Sequence, residues 1–420
     1  MKFLHAADIH LDSPLSGLER YEGAPVDEIR SATRRAFDNL IALAIDEKVA
    51  FVLIAGDVYD GNWKDYNTGL YFVSCMRKLE QAAIPVYLLA GNHDAASVIT
   101  RNLRLPANVS TFSTKKPETF VIDELNVAIH GQGFATRAVT DDISQKYPQG
   151  DSQAFNIGML HTCLEGTAGH DAYAPCSVEG LRSKGYQYWA LGHVHTRDVV
   201  STDPYIVFPG NTQGRHVRET GSKGCTLVSV EDGSITHVEH HAVDVMRWVR
   251  RELDVSASDT AEEVFDQVQD AFLDALSEAD DRLVAIRLIL TGASAAHQAL
   301  HAAREHWTQE YRSLASGLGG AGIWLEKVSI RTQSSVSVGD AYAGDDALCG
   351  LLRSIDDSKL DDARIADFAA ELSPLRQKLP ADMLSDEQRY DPADADTIKE
   401  AMADVRQLLV DRLTSTDKES

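Results

Sequence analysis

Phe51-Val52-Leu53-Ile54-Ala55-Gly56-Asp57 is the stretch from which the fold can be read. Five consecutive apolar residues, rich in β-formers, predict a strand buried on both faces. The glycine lets the backbone turn sharply as it leaves the sheet, and the aspartate then sits at the strand's carboxyl end. The same arrangement recurs on either side. Upstream, residues 2–7 read as a buried strand followed by Asp8-Ile9-His10. Downstream, Pro85-Val86-Tyr87-Leu88-Leu89-Ala90 runs into Gly91-Asn92-His93-Asp94. Between these strands, residues 27–48 carry Ile29, Ala32, Ala36, Leu40, Leu43 and Ala44 at a helical period, and a further helix is predicted over roughly 68–82. Short apolar strands alternating with amphipathic helices predict an α/β fold, a sheet covered by helices.

From about 119 to 241 strands dominate, at 126–130, 156–160, 187–191, 205–208 and 224–230. They predict a second sheet packed on the first, so the expected class is α/β, a two-sheet β-sandwich flanked by helices. Two of these strands end in histidine: Ile157-Gly158-Met159-Leu160 leads to His161, and Tyr188-Trp189-Ala190-Leu191 leads to Gly192-His193-Val194-His195. Alternate residues at a strand end point to one side. The spacing therefore predicts that Asp8 and His10 converge, and that His193 and His195 face one cavity while Val194 enters the core. Asp-x-His triplets are common, and Asp57 and Asn92 are also ordinary turn residues. Recurrence at five strand ends is what turns these into a candidate metal site: Asp8, His10, Asp57, Asn92, His161, His193 and His195. Imidazole, carboxylate and amide oxygen suit manganese, iron or zinc, and a set without cysteine is unlike a structural zinc site. Seven donors exceed what one open catalytic ion takes, and they suit two divalent ions sharing a carboxylate, roughly 3.5–4 Å apart.

In this order, D-x-H, G-D, G-N-H-[DE], H and G-H-x-H, the residues resemble the calcineurin-like metallophosphoesterase superfamily. Within it, Gly91-Asn92-His93-Asp94, the run Tyr188 to His195, and Phe208-Pro209-Gly210-Asn211 look like the SbcD and YhaO type of DNA-repair exonuclease. The resemblance covers residues 1 to about 241. It implies the metallophosphoesterase fold, two ions (manganese in the exonucleases), DNA as substrate, and a capping domain followed by helices that dock on an SMC-like coiled-coil ATPase. It also implies that Asp8, His10 and His195 hold one ion, Asn92, His161 and His193 the other, and that Asp57 bridges them. His93 is then left to stabilise the transition state or protonate the leaving oxygen. Asp60 departs from the exonuclease pattern, which has histidine there. A carboxylate in that place orients the catalytic histidine in phosphoprotein phosphatases, so Asp60 is expected either to pair with His93 and raise its pKa, or to be a plain loop acid.

The remainder of the chain sets limits. In 420 residues, 44% are hydrophobic and the formal net charge is −24, a composition that allows large packed cores but disfavours a protein that coats nucleic acid. A nuclease stays possible because bound cations reverse the local field. Arg215, His216 and Arg218, with Lys223, follow Asn211 closely and are read as a basic rim for a phosphate backbone, solvated surface charge being the alternative. Five scattered cysteines without C-x-x-C spacing fit a reducing cytoplasm. The amino-terminal residues do not read as a signal peptide, and no stretch approaches the roughly 20 apolar residues of a membrane span.

The expected organisation is a phosphoesterase domain over 1–241, a small α/β capping domain over 242–332, a linker over 333–346 and a helical segment over 347–420. A homodimer is left open. Two rival readings stand beside the exonuclease: a phosphatase or phosphodiesterase acting on nucleotides or phosphoproteins, and a subunit whose main task is docking on an ATPase.

Overall fold

A computed structural model describes residues 1–13, 25–60, 66–96, 103–164, 174–318, 322–335, 362–376, 378, 392–395, 397–399, 401 and 405. Along the chain run β1 (Lys2–Ala6), α1 (Val26–Asp46), β2 (Phe51–Ala55), α2 (Tyr66–Gln81), β3 (Val86–Leu89), the short α3 (Asn92–Ala96), β4 (Val109–Thr111), β5 (Glu118–Ile122), β6 (Val127–Gly131), β7 (Phe155–His161), α4 (Val178–Arg182), β8 (Tyr188–Gly192), β9 (Asp198–Thr202), β10 (Tyr205–Phe208), β11 (Gly224–Glu231) and β12 (Ser234–Ala242). They build two six-stranded sheets, β12-β11-β1-β2-β3-β4 and β5-β6-β7-β8-β10-β9. β1 to β4 are mutually parallel, and so are β6, β7, β8 and β10.

Strand alternation sorts the core. Leu4, Ala6, Val52, Ile54, Val86 and Leu88 pack against Phe37, Leu40, Phe72 and Met76 of α1 and α2. Their neighbours Phe3, Phe51, Leu53, Ala55 and Leu89 meet Val127, Ile157, Met159, Tyr188 and Ala190 of the second sheet. The outward face of that sheet, including Leu160, Trp189 and Leu191, is covered by Phe134, Tyr147, Leu181 and Tyr186. The central strands of both sheets are thus buried on both faces, as the continuous apolar runs require.

One expectation is corrected. Sequence order places residues 224–230 in the second sheet, but β11 pairs antiparallel with β1, Phe3 opposite Val228, and β12 follows it there. Long-range pairing of this kind leaves no local mark in the sequence.

Beyond β12 come β13 (Met246–Asp254), α5 (Ala261–Ser277), β14 (Leu283–Thr291), β15 (Ala293–Ser294), α6 (His297–Ala302), α7 (Arg304–Gly317), β16 (Ile323–Ile330), β17 (Gln333–Ser334) and α8 (Asp362–Arg376). β13, β14 and β16 form a three-stranded sheet with β14 central, as the run Leu283 to Leu290 predicts. The segment expected to be a linker opens with β17, and from residue 336 onward it lies outside the described residues. The chain divides into two compact units, one of Met1–Arg251, Asp270–Leu288 and Arg312–Lys327, the other of Glu252–Gln269, Ile289–Tyr311 and the described residues from Val328. Both six-stranded sheets belong to the first. No described helix is long and apolar enough to cross a membrane.

His5, fully buried on β1, joins the two sheets. Its Nε2 donates to the Leu191 carbonyl at 3.1 Å, so Nδ1 accepts from the Tyr188 hydroxyl at 3.0 Å and the ring is neutral. Burial lowers its pKa to about 3, against the smaller upward pull of the Leu191 carbonyl. The unfolded chain, with a histidine near 6.5, binds one more proton between these values. The stabilisation is therefore complete above pH 6.5 and declines by about 1.4 kcal/mol per pH unit below it. In urea titrations between pH 6.5 and 4, His5→Gln is expected to show a shallower loss of stability than wild type by that slope; equal slopes would contradict the assignment.

Candidate metal centre

The parallel ladder of β1 and β2 continues past the strands. Asp8 N donates to Gly56 O at 3.0 Å, His10 N to Asp57 O at 3.0 Å and Leu11 N to Val58 O at 2.9 Å. Within this zipped pair of loops Asp8 (φ 51°), His10 (φ 46°) and Asp57 (φ 54°) are left-handed, and His193 after β8 has φ 100°. The side chains are therefore aimed by αL turns rather than by continued pleating, which corrects the geometry expected from their spacing. Val194 does enter the core beside Leu191. Gly56 is required by its φ of 94°. Gly91 is required by close approach, since a Cβ there would lie 2.3 Å from Asp57 Oδ1.

The loops bring the expected residues together. Donor atoms of Asp8, His10 and His195 lie within 4.8 Å of one another, as do those of Asp8, Asp57 and His161, and of His10, Asp60 and His93. Asn92 Oδ1 is 2.8 Å from His161 Nε2, and the His193 ring lies 5.3 Å from that of His161, centroid to centroid. Asp8 and Asp57 are each 1% exposed. Asp8 also accepts from the His193 backbone N–H at 2.9 Å, and Asp57 from that of His93 at 2.9 Å.

Three histidines have one ring nitrogen committed outward. His10 Nδ1 is 2.7 Å from Asp60 Oδ1, His195 Nδ1 is 2.6 Å from Glu219 Oε1, and His161 Nδ1 is 2.9 Å from Ala55 O. Each of these partners is an acceptor, so Nδ1 carries the proton, at His195 beside the Arg215 guanidinium 3.2 Å away, and Nε2 faces inward, the tautomer of a metal-ligating histidine. Among the described residues the inward nitrogens then meet acceptors: His10 Nε2 is 3.2 Å from His195 Nε2, and His161 Nε2 is 3.3 Å from Asp57 Oδ2. Lone pairs at these separations need a proton or a cation between them, so the residues fit a metal centre.

The charges agree. Burial pushes Asp57 up, but His161, His93 and His10 hold it well below the usual carboxylate range. Asp8 is raised, burial outweighing its histidine neighbours. Burial pushes His161 down, yet Asp57, Asp8 and the Ala55 carbonyl raise it to about 9. Without metal, a proton on His161 does part of a cation's work.

Other expectations change. Asp60 is not an exposed loop acid: it is buried, nearest His10, and 3.3 Å from His93 Nδ1. Burial lowers the pKa of His93 to about 4; Asp57 and, as expected, Asp60 pull it upward, but burial outweighs them. Arg215 is not on a rim. It is 6% exposed, and its guanidinium lies 3.0 Å from Glu219 and 3.7 Å from Asp60. His216 lies 3.6 Å from Glu219. Lys223 is buried with its ammonium on the His195 carbonyl, which leaves Arg218 as the exposed member of the group.

Two carboxylates join the site without having been expected in it. Asp94 is buried and accepts from the backbone N–H groups of Val58, Tyr59 and Gly91, bracing the β2 loop to the β3 loop. Its place in the Gly-Asn-His-Asp run is the available signal. Glu219 has none, standing in a loop 24 residues beyond His195.

Comparison with known proteins agrees with this architecture. The calcineurin-like phosphoesterase profile matches residues 1–197, and that of the middle domain of metallophosphoesterase YhaO matches residues 248–333. The chain belongs to the calcineurin-like metallophosphoesterase family and is a metal-dependent phosphoesterase. Within that family it is 35% identical over 296 residues to the uncharacterized metallophosphoesterase YhaO of Bacillus subtilis (strain 168), a match covering 70% of this chain and 72% of that protein. More distant are the DNA double-strand break repair protein Mre11 of Aeropyrum pernix (28% identity, 60% of this chain and 64% of that protein) and a subunit of the nuclease SbcCD of Escherichia coli K12 (25%, 58% and 69%).

A cation that takes His161 Nε2 must displace its proton. Binding of a divalent cation near pH 7, with manganese as the probe, is therefore expected to release about one proton at that position, with apparent affinity rising roughly tenfold per pH unit up to about 9. Calorimetry in buffers of different ionisation enthalpy measures this. Binding without proton release would contradict it.

Proposed function

We propose that the protein is a manganese-dependent DNA exonuclease of DNA repair that works with an SMC-like coiled-coil ATPase. The observation that supports phosphoester hydrolysis is the convergence of seven donors from five strand ends, with the outer nitrogens of His10, His195 and His161 already committed. In this reading Asp8, His10 and His195 would hold one ion and Asn92, His161 and His193 the other, with Asp57 shared between them; Asp8 also lies in the grouping with Asp57 and His161. Bound there, two cations would supply Lewis acidity toward phosphoryl oxygens and toward water near neutral pH.

The chain's own residues do the rest. His93 is held by its backbone N–H on Asp57, with Nδ1 toward Asp60. A phosphodiester anion beside it favours the imidazolium, so His93 gains a proton that it can pass to the leaving oxygen.

The nucleic-acid part of the proposal rests on the Mre11 and SbcCD relatives. We read residues 1–241 as the phosphoesterase domain, 242–332 as the cap and 347–420 as the ATPase-docking segment. Phe368 and Leu375 of α8, 42% and 50% exposed, support docking.

The test is digestion of end-labelled DNA with manganese or with chelator. Wild type is expected to trim ends only with metal. His93→Ala is expected to lose about 10²- to 10⁴-fold in turnover with metal content retained, whereas Asp57→Ala loses both. Hydrolysis of a simple phosphodiester with no trimming of DNA would replace this reading with that of a phosphatase or phosphodiesterase.

A further inference from the structure

In the metal centre the imidazoles of His10 and His195, with ring centroids 5.0 Å apart, are held from behind by carboxylates, and these carboxylates share one guanidinium. Glu219 is 6% exposed and both its oxygens are occupied. Oε1 takes His195 Nδ1 at 2.6 Å and Arg215 Nη2 at 3.0 Å; Oε2 accepts from the Arg215 backbone N–H at 2.7 Å and from Asn211 Nδ2 at 2.9 Å. Arg215 Nη1 reaches to 3.7 Å from Asp60 Oδ1, the atom that takes His10 Nδ1 at 2.7 Å. The backbone is fixed to the same end: Asn211 N and Lys223 Nζ both donate to the His195 carbonyl, at 3.3 and 3.0 Å. A buried carboxylate is costly unless its oxygens are filled, and here the loop from Asn211 to Glu219 fills them.

We infer that Glu219 is a positioning residue which, tied through Arg215 to Asp60, sets His10 and His195 as one unit for a single cation. This rests on the two-cation reading above. The second position is supported differently. His161 Nδ1 goes to the Ala55 carbonyl, part of β2, which no side-chain replacement at Glu219 or Arg215 removes. Loss of Glu219 therefore acts on one ion and not on both. His195 can then rotate, and its Nδ1 proton no longer has an anion to make Nε2 more basic. Outer partners of this kind govern metal affinity 10- to 100-fold.

The experiment is manganese titration of the full chain, stripped by chelator, followed by calorimetry and by electron paramagnetic resonance. Wild type is expected to bind two ions with an exchange-coupled spectrum. Glu219→Ala is expected to weaken one ion about 10- to 100-fold, leave the other unchanged and replace the coupled spectrum with that of an isolated ion. Arg215→Met is expected to weaken the same ion to a smaller extent. If Glu219→Ala does not fold, as judged by thermal melting, Glu219→Gln is measured in its place and read by the same outcomes. Equal weakening of both ions would show a general structural prop, and no weakening an idle side chain; either overturns the inference. A wild type that binds two ions and shows this pattern but does not trim DNA removes the exonuclease reading and leaves the positioning role. A wild type that binds fewer than two ions overturns both.

Discussion

Buried negative charge is the constraint around which this molecule is organised. Asp8, Asp57, Asp60 and Glu219 are all withdrawn from water, and a carboxylate moved into protein interior costs several kcal/mol unless it is paired. Arg215 answers Glu219 and Asp60 directly. Asp8 and Asp57 are faced instead by histidines, so their charge is balanced by imidazolium protons or by divalent cations. The histidines are pre-set for the second case, with outward nitrogens on Asp60, Glu219 and the Ala55 carbonyl.

Such an arrangement has to be held open by the fold. Left-handed backbone at Asp8, His10 and Asp57 costs of order 1–3 kcal/mol per residue. The zipped loops beyond β1 and β2 and the three hydrogen bonds to Asp94 over-determine those turns. Behind them, two sheets whose parallel central strands are buried on both faces supply the rigidity. The site lies where ligands bind in open α/β sheets, outside the carboxyl ends of the strands.

What is legible in the sequence follows from which signals are local. An apolar run closed by glycine and a polar residue is local, so β1, β2, β3, β7 and β8 and the residues that follow them can be read directly. The αL turns cannot, because aspartate and histidine tolerate that conformation without announcing it. Arg215 reads as a surface cation because a charge in sequence does not show the carboxylate folded against it. Glu219 escapes notice because its partner stands 24 residues away, beyond β9 and β10, and no motif links the two. β11 is placed in the wrong sheet because its partner is β1, and residues 3 and 228 meet only in three dimensions.

The most direct measurement of the central claim is anomalous diffraction from crystals grown with manganese. Two peaks per chain are expected, roughly 3.5–4 Å apart, one touching Asp8, His10 and His195, the other Asn92, His161 and His193, with Asp57 touching both. A single peak, or ions bound elsewhere while these side chains keep their protons, would contradict it.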